Sequence, residues 1–390
     1  MTPEIVVLAL FLLFWALMMK IGKSPRLKDR MEVRPFLLLY RTKRFNDFLV
    51  RLAEKYGRVW ILLGNAGIAI SLVAMAYGLY FFSNNIYGLI YIEQVVGPVS
   101  PVIPLIPIIT ISPEILPYFI IAISIIIILH ESSHAMTLGA DKLKIKSTGL
   151  LLFLVIFGAF VEQDDENFKK AKTSSRLRVA AAGSASNIVL ALLLLPLLAN
   201  FATLSSPLYN QGTPITNVTS NSPANLYGLK AGDVVFSVNG TTTPTYYDFS
   251  ATLDRAKPHD RLLLEVYRNG KPIEISLVST YDPTNTSKVL IGVEITRITQ
   301  YVAKYAFLPD DAPWHVYITL YMTQLISLSV GVVNLLPLAP FDGDLLVTAL
   351  VDRFNKGKTK YVRTALSSFS LGLIALNIGL SLFRFGLVQL

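Results

Sequence analysis

Two histidines four residues apart, His130 and His134, enclose Glu131 in the run Ile128-Leu129-His130-Glu131-Ser132-Ser133-His134-Ala135. On a helix, positions i and i+4 share a face at a spacing of about 6 Å. Both imidazoles can therefore ligate one Zn²⁺, with the carboxylate beside it. The alternative, a helix end where His and Glu reach the interface and hydrogen-bond locally, needs no metal. The chain has four His and no Cys, which removes disulfides, thiolate ligands and a cysteine nucleophile. A catalytic zinc wants three protein ligands and an open fourth position for water, so one ligand must come from elsewhere. Asp342, in Asn334-Leu335-Leu336-Pro337-Leu338-Ala339-Pro340-Phe341-Asp342-Gly343-Asp344, is the carboxylate expected at the depth of the pair, with Asp344 as the alternative. His259 and His315 are expected a membrane thickness away.

The background around these groups is apolar. Of 390 residues, 53% are hydrophobic and 16% charged, against roughly a quarter charged in soluble domains. That excludes an ordinary soluble fold and implies a polytopic α-helical membrane protein. Five stretches (59–82, 110–138, 178–201, 314–338 and 361–383) are long enough for a bilayer core of ~30 Å, which takes ~20 residues. A sixth, 3–19, has neither a basic start nor an A-x-A-like site and reads as a span rather than a signal peptide. Residues 149–161 are too few to span and fit a re-entrant loop.

Charge placement orients the spans, because cytoplasmic loops are rich in Lys and Arg. Twelve of the 35 Lys and Arg lie in 20–58, eight in 139–178 and five in 352–363, whereas 84–109 has none. Six spans with one re-entrant segment place all three basic segments in the cytoplasm and both termini outside. The net charge of +9 thus records orientation and contact with lipid headgroups, not a nucleic-acid surface. The basic loop and the Pro-rich stretch 97–113, read as an external cap, are assigned no chemistry.

Between 201 and 313 the chain turns polar, with nine Lys and Arg against ten Asp and Glu and the chain's three N-x-[ST] sequons, at Asn217, Asn239 and Asn285. Strands are expected at 215–218, 234–238, 262–267 and 273–278, the last two joined by a type I′ turn at Asn269-Gly270. Ser222-Pro223-Ala224, Gly228-Leu229-Lys230-Ala231-Gly232-Asp233-Val234-Val235 and Val238-Asn239-Gly240 resemble a PDZ domain of the bacterial protease type. The span count makes this segment extracytoplasmic, and the resemblance implies an α+β domain that takes an extended peptide on a sheet edge, or one that acts only as a spacer or size filter. Its carboxylate-binding loop would fall near 211–214, where no Gly-rich motif stands.

The two metal-type segments, H-E-x-x-H at 130–134 and N-x-x-P-x-x-x-x-D-G at 334–343, resemble those of the site-2 proteases. The similarity runs over residues 113–350 and includes Gly158-Ala159-Phe160-Val161-Glu162 and Gly183-Ser184-Ala185-Ser186-Asn187. It departs at Phe341, where Leu is usual, and at Asp344, where a second Gly is usual. The resemblance implies one zinc per chain held by His130, His134 and Asp342, with Glu131 as general base, and a re-entrant β-type segment over 147–161 that offers an edge to an unwound substrate strand or seals the cavity. Asn187 or Asn334 would donate to the tetrahedral oxygen, or else bond neighbouring helices.

The expected organisation is an N-terminal transmembrane region (1–112), a first half of the protease core (113–203), the PDZ-like domain (208–300) and a second half (310–390). The implied activity is hydrolysis of transmembrane segments of membrane-anchored proteins, some already trimmed by another protease, close to the cytoplasmic leaflet. A protease cutting cytoplasm-facing substrates and a non-catalytic scaffold binding tails through the PDZ-like domain are the other readings.

Overall fold

The computed structural model describes residues 3–22, 24, 30–41, 43–91, 102, 110–269, 271–282, 285–296, 299–305 and 307–386. In chain order the first elements are α1 (Pro3–Gly22), β1 (Met31–Arg34), β2 (Leu37–Arg41), α2 (Lys43–Lys55), α3 (Gly57–Tyr91), α4 (Leu116–Ala140), β3 (Ile145–Phe153), β4 (Ile156–Gln163), α5 (Asp165–Lys170) and α6 (Thr173–Ala199). A second unit follows, with α7 (Phe201–Ser205), β5 (Tyr209–Val218), α8 (Pro223–Leu226), β6 (Val234–Val238), β7 (Thr241–Thr242), α9 (Tyr246–Leu253), β8 (Arg261–Arg268), β9 (Lys271–Val278), β10 (Thr280–Asp282), β11 (Asn285–Leu290), β12 (Val293–Ile295) and β13 (Gln300–Ala303). The chain ends in α10 (Ala312–Asn334), α11 (Asp342–Asn355) and α12 (Thr359–Phe385). Contacts divide it into one unit of Met1–Leu195 with Thr319–Leu390 and another of Pro196–Ile318.

In the first unit, α3, α4, α6, α10 and the α11–α12 stretch are long and apolar enough to cross a membrane. The sixth expected span is helical over Pro3–Gly22, with a described apolar stretch of Phe11–Gly22. Most of the Pro-rich stretch lies outside the described residues. Helix α6 is the hub: 11 consecutive residues from Ser175 to Ala185 are buried, and the small side chains of Ala180, Ala181, Gly183, Ser184 and Ala185 let neighbours approach closely. Leu177, Ala180, Ala181 and Ile188 pack with Met75 of α3 and with Leu346, Val347 and Ala349 of α11.

Residues 149–161 form an antiparallel hairpin, Leu150 opposite Ala159 and Leu152 opposite Phe157. It is half of a four-stranded sheet in the order β1-β2-β3-β4. The N-terminal basic segment supplies the other half, with Leu37 to Arg41 opposite Phe153 to Gly149. The same segment supplies α2, whose Leu49 and Ala53 pack on Ala135 and Met136 of α4. The edge strand β4 lies on α4, where a side chain at Gly158 would meet Ile127 Cγ2 at 2.8 Å.

In the second unit the antiparallel sheet runs β12-β5-β6-β8-β9, with β13 also on β5 and β7 on β6. Ile215, Val235, Phe249, Leu264 and Leu277 form its core, and a capping box between Thr245 and Asp248 starts α9. The β8–β9 hairpin turns at Asn269, which has φ +49°; Gly270 lies outside the described residues. Residues 211–214, where a binding loop would fall, are instead inside β5, because Tyr209 to Gly212 pair with β13. For the same reason the unit extends beyond 300.

Three ion pairs tie the helix ends of the first unit. Arg178 of α6 binds Asp141 beyond α4 through Nε at 2.9 Å and reaches Asn65 of α3 at 3.1 Å. Arg176 meets Asp352 of α11 at 2.9 Å, and Arg363 of α12 meets Asp344 at 2.6 Å. Both Arg178 and its partner are buried. Removing one member of a buried pair costs about 3–5 kcal/mol, whereas replacing both by apolar groups is often neutral. Asp141→Ala is therefore expected to lower the melting temperature of the purified protein in detergent markedly, and Asp141→Leu with Arg178→Met to restore most of it.

Candidate active site

Helix α4 has Pro117 in its first turn and runs unbroken to Ala140, so His130, Glu131 and His134 lie on regular helix. Helix α10 stops at Asn334; Pro337 and a cis Ala339-Pro340 bond occupy the turn before α11. There Phe341 N–H donates to Leu338 O at 2.8 Å and Asp344 N–H to Phe341 O at 3.1 Å. Asp342 is thereby the first residue of α11, with 7% of its surface exposed.

His130, His134 and Asp342 come together. The two Nε2 atoms are 3.2 Å apart. His130 Nε2 is 3.4 Å from Asp342 Oδ2, and His134 Nε2 is 3.4 Å from Oδ1. A tetrahedral zinc with bonds of about 2.0–2.1 Å has ligand-to-ligand edges of roughly 3.3–3.4 Å, so this donor set fits the ion.

The far ring nitrogens test the fit further. His134 Nδ1 is 2.8 Å from Val179 O. A carbonyl only accepts, so Nδ1 carries the proton and Nε2 is left with a free lone pair. His130 Nδ1 is 3.1 Å from the Asn187 amide, whose Oδ1 is buried with no partner. A half-turn of that amide places Oδ1 on Nδ1–H, gives the orphaned oxygen its partner and frees the second Nε2. Asn187 thus stands behind His130, not at the metal-facing side.

Helix α6 supplies these contacts from one stripe, because 179, 183 and 187 recur every four residues. Val179 gives a carbonyl, Asn187 an amide and Gly183 a bare Cα. A Cβ at Gly183 would lie 2.5 Å from His130 Nε2 and equally close on His134 Nε2. Next to it, Ser184 Oγ donates to Asp342 Oδ2 at 2.8 Å. Asn334 Nδ2 donates to Ser184 Oγ at 3.3 Å and is 3.4 Å from His130 Nε2. Asn334 is therefore at the metal-facing side.

Glu131 points to the sheet: its Oε2 accepts from Val161 N–H of β4 at 3.1 Å. Beside Glu131, His130 and Asn334 opens a cavity of about 480 Å³ between α4 and α10. The alternative ligand Asp344 faces away, in a two-bonded fork with Arg363. Glu162, at the end of β4, is taken up by Lys146 and Ser147, which hold its carboxyl below the usual range, the Lys146 hydrogen bond first. The sequence marked neither Val179 O nor Val161 N–H, since main-chain groups carry no residue signature. Ser184 lies in the Gly183–Asn187 run, where its residue type alone does not separate it from Ser186.

The chain matches the family model of peptidase family M50 over residues 118–377. It is 28% identical over 252 residues to an uncharacterized protein of Methanocaldococcus jannaschii, covering 64% of this chain and 62% of that one. It is 25% identical over 227 residues to the probable protease eep of Enterococcus faecalis, covering 48% and 53%. The chain thus spans between half and two thirds of the length of these relatives. Among solved structures, the PDZ domain of an SdrC-like protein from Listeria monocytogenes is 21% identical, with a TM-score of 0.20, covering 22% of this chain and 87% of that one.

Adding a methyl group at Gly183 must displace one or both imidazoles. Gly183→Ala is expected to weaken zinc binding by about 10–100-fold, the usual effect of disturbing the groups that orient metal ligands. Metal content of the purified variant, titrated against a chelator, measures it.

Proposed function

The chain belongs to peptidase family M50, the site-2 protease family, and from that membership we propose that it is an intramembrane zinc endopeptidase cutting membrane-anchored proteins within or next to their transmembrane segments. The observation that carries the reading is the convergence of His130, His134 and Asp342 at 3.2–3.4 Å beside Glu131. They would hold the ion, with Val179 O and Asn187 orienting the imidazoles and Ser184 the carboxylate.

Bound zinc would lower the pKa of a water to about 7 and polarise the scissile carbonyl. Glu131 would take the proton of the attacking water and hand it to the leaving amine. Its Oε2 is held by Val161 N–H, which leaves Oε1 for the proton. Negative charge on the tetrahedral oxygen would be met by the Asn334 amide, on the metal-facing side. Asn187, bonded to the ring behind, acts as a positioning residue.

A transmembrane substrate must unwind to expose a peptide bond, and helix-breaking residues favour that. The edge of β4, whose Val161 already bonds Glu131, suits an added strand. We assign the site to the cytoplasmic side and Pro196–Ile318 to the outside on the Lys and Arg asymmetry. That outer unit would screen substrates, including pre-trimmed ones, at the open edge of β12.

The test is cleavage of a single-span substrate by the purified full chain in detergent. Glu131→Gln is expected to slow turnover by about 10²–10⁴-fold, the usual contribution of a general acid–base group, with zinc retained, and a chelator to abolish cleavage. Unchanged cleavage in the variant, or none by a wild-type protein holding one zinc, would refute the reading.

A further inference from the structure

The cavity beside Glu131 has a polar end and an apolar end. At the polar end stand His130, Glu131 and Asn334, with Asn187, which also lines the cavity, set against His130 Nδ1 at 3.1 Å. One helical turn away, about 5.4 Å along each axis, stand Ile126 and Ile127 of α4 and Val330 of α10, with Val333 and Phe341 completing the wall. Ser329 lies there too, its hydroxyl proton donated to Leu325 O at 2.8 Å. The wall of Ile126, Ile127, Val330, Val333 and Phe341 itself carries no polar side chain, and a charge pressed against it would lose hydration that the wall does not replace. A volume of about 480 Å³ is within the range of cavities that enclose a small ligand.

Phe341 differs in kind from the other wall residues. It is the N-cap of α11 and the direct neighbour of Asp342. Its backbone is held on both sides by the 2.8 Å bond to Leu338 O and the 3.1 Å bond from Asp344 N–H, so its half-buried ring is kept in register with the metal-type site. The ring thus lines the cavity next to the reacting groups.

Resting on the protease reading above, we propose that this cavity receives the side chain flanking the scissile bond, that it selects aliphatic residues such as Leu, Ile and Val, and that Phe341 sets its upper size limit. Phe341 is then a specificity-determining residue. A charged residue at that substrate position is refused because the apolar wall does not replace its hydration, and a large aromatic one because the ring blocks it.

The test uses the full chain in detergent and a single-span substrate varied at the residues either side of the cut to Ala, Leu, Trp or Asp, with products located by mass spectrometry. The wild type is expected to cut Leu over Trp by about 10-fold or more, the scale on which an apolar pocket discriminates by size. Phe341→Ala should bring the Leu-to-Trp ratio to one or below, and Phe341→Trp should shift preference toward Ala, with Asp refused by all three proteins. Because each ratio is internal to one protein, a lower overall rate from a disturbed Asp342 does not enter it. Identical ratios in the three proteins would overturn the proposal.

A second measurement reads the pocket without cleavage. The chain has no Cys, so Phe341→Cys introduces a unique thiol, which an added oxidant can join to single cysteines walked along the substrate segment. Crosslinks confined to one or two neighbouring positions support the pocket, even should a zinc-loaded wild type cleave nothing and the protease reading fail. Crosslinks at no position, or evenly at all, refute it.

Discussion

Two imidazoles that turn their Nε2 atoms to a common point must bury both Nδ1 atoms, and in an apolar helical bundle a buried polar atom without a partner is costly. Here both partners come from one helix: Val179 O for His134 and Asn187 for His130. That requirement brings α6 within hydrogen-bonding distance of α4 over two turns. Such an approach leaves no room for a side chain between them, and Gly183 occupies the point of contact. The run of small buried residues around it, and the Arg178–Asp141 pair at the helix ends, hold the same two helices at that separation.

The carboxylate that joins the two histidines is selected by helical geometry. Asp342 and Asp344 stand two residues apart in the first turn of α11, which separates them by about 200° around the axis. They cannot face the same neighbour. Asp342 faces the histidines and Ser184, while Asp344 faces Arg363 of α12. One carboxylate brings the turn to the site and the other fastens it to the next helix, so the two acidic residues divide chemistry and anchorage between them.

The four groups with chemistry were legible because they are polar residues in stretches that membrane partition otherwise keeps apolar. For a related reason 149–161 was legible as too short to span, while its β form came with the family resemblance and not from its own residues. Strands β1 and β2 were not legible. They have four and five residues, a hairpin of that size is marginal alone, and their stability comes from β3, more than a hundred residues later. Their alternation, Met31 and Val33, is short and lies among the Lys and Arg that a cytoplasmic loop would carry in any case. The span of β5 was hidden likewise, because its first residues pair with β13 near 300. Ser184 and Asn187 were visible as polar residues, but only the packed helices separate the one that holds the carboxylate from the one that holds the ring.

The four-stranded sheet bears on what counts as the working unit of this chain. The segment shared with the family begins at residue 118, but the strand that touches Glu131 belongs to a sheet that starts at Met31. Cut at the family boundary, β3 would lose the partner of its outer edge and present bare N–H and C=O groups where the chain is apolar. The segment matched by the family model is thus not an autonomous piece: β1 and β2 complete the sheet whose last strand meets Glu131, and α2 packs on the helix that carries Glu131.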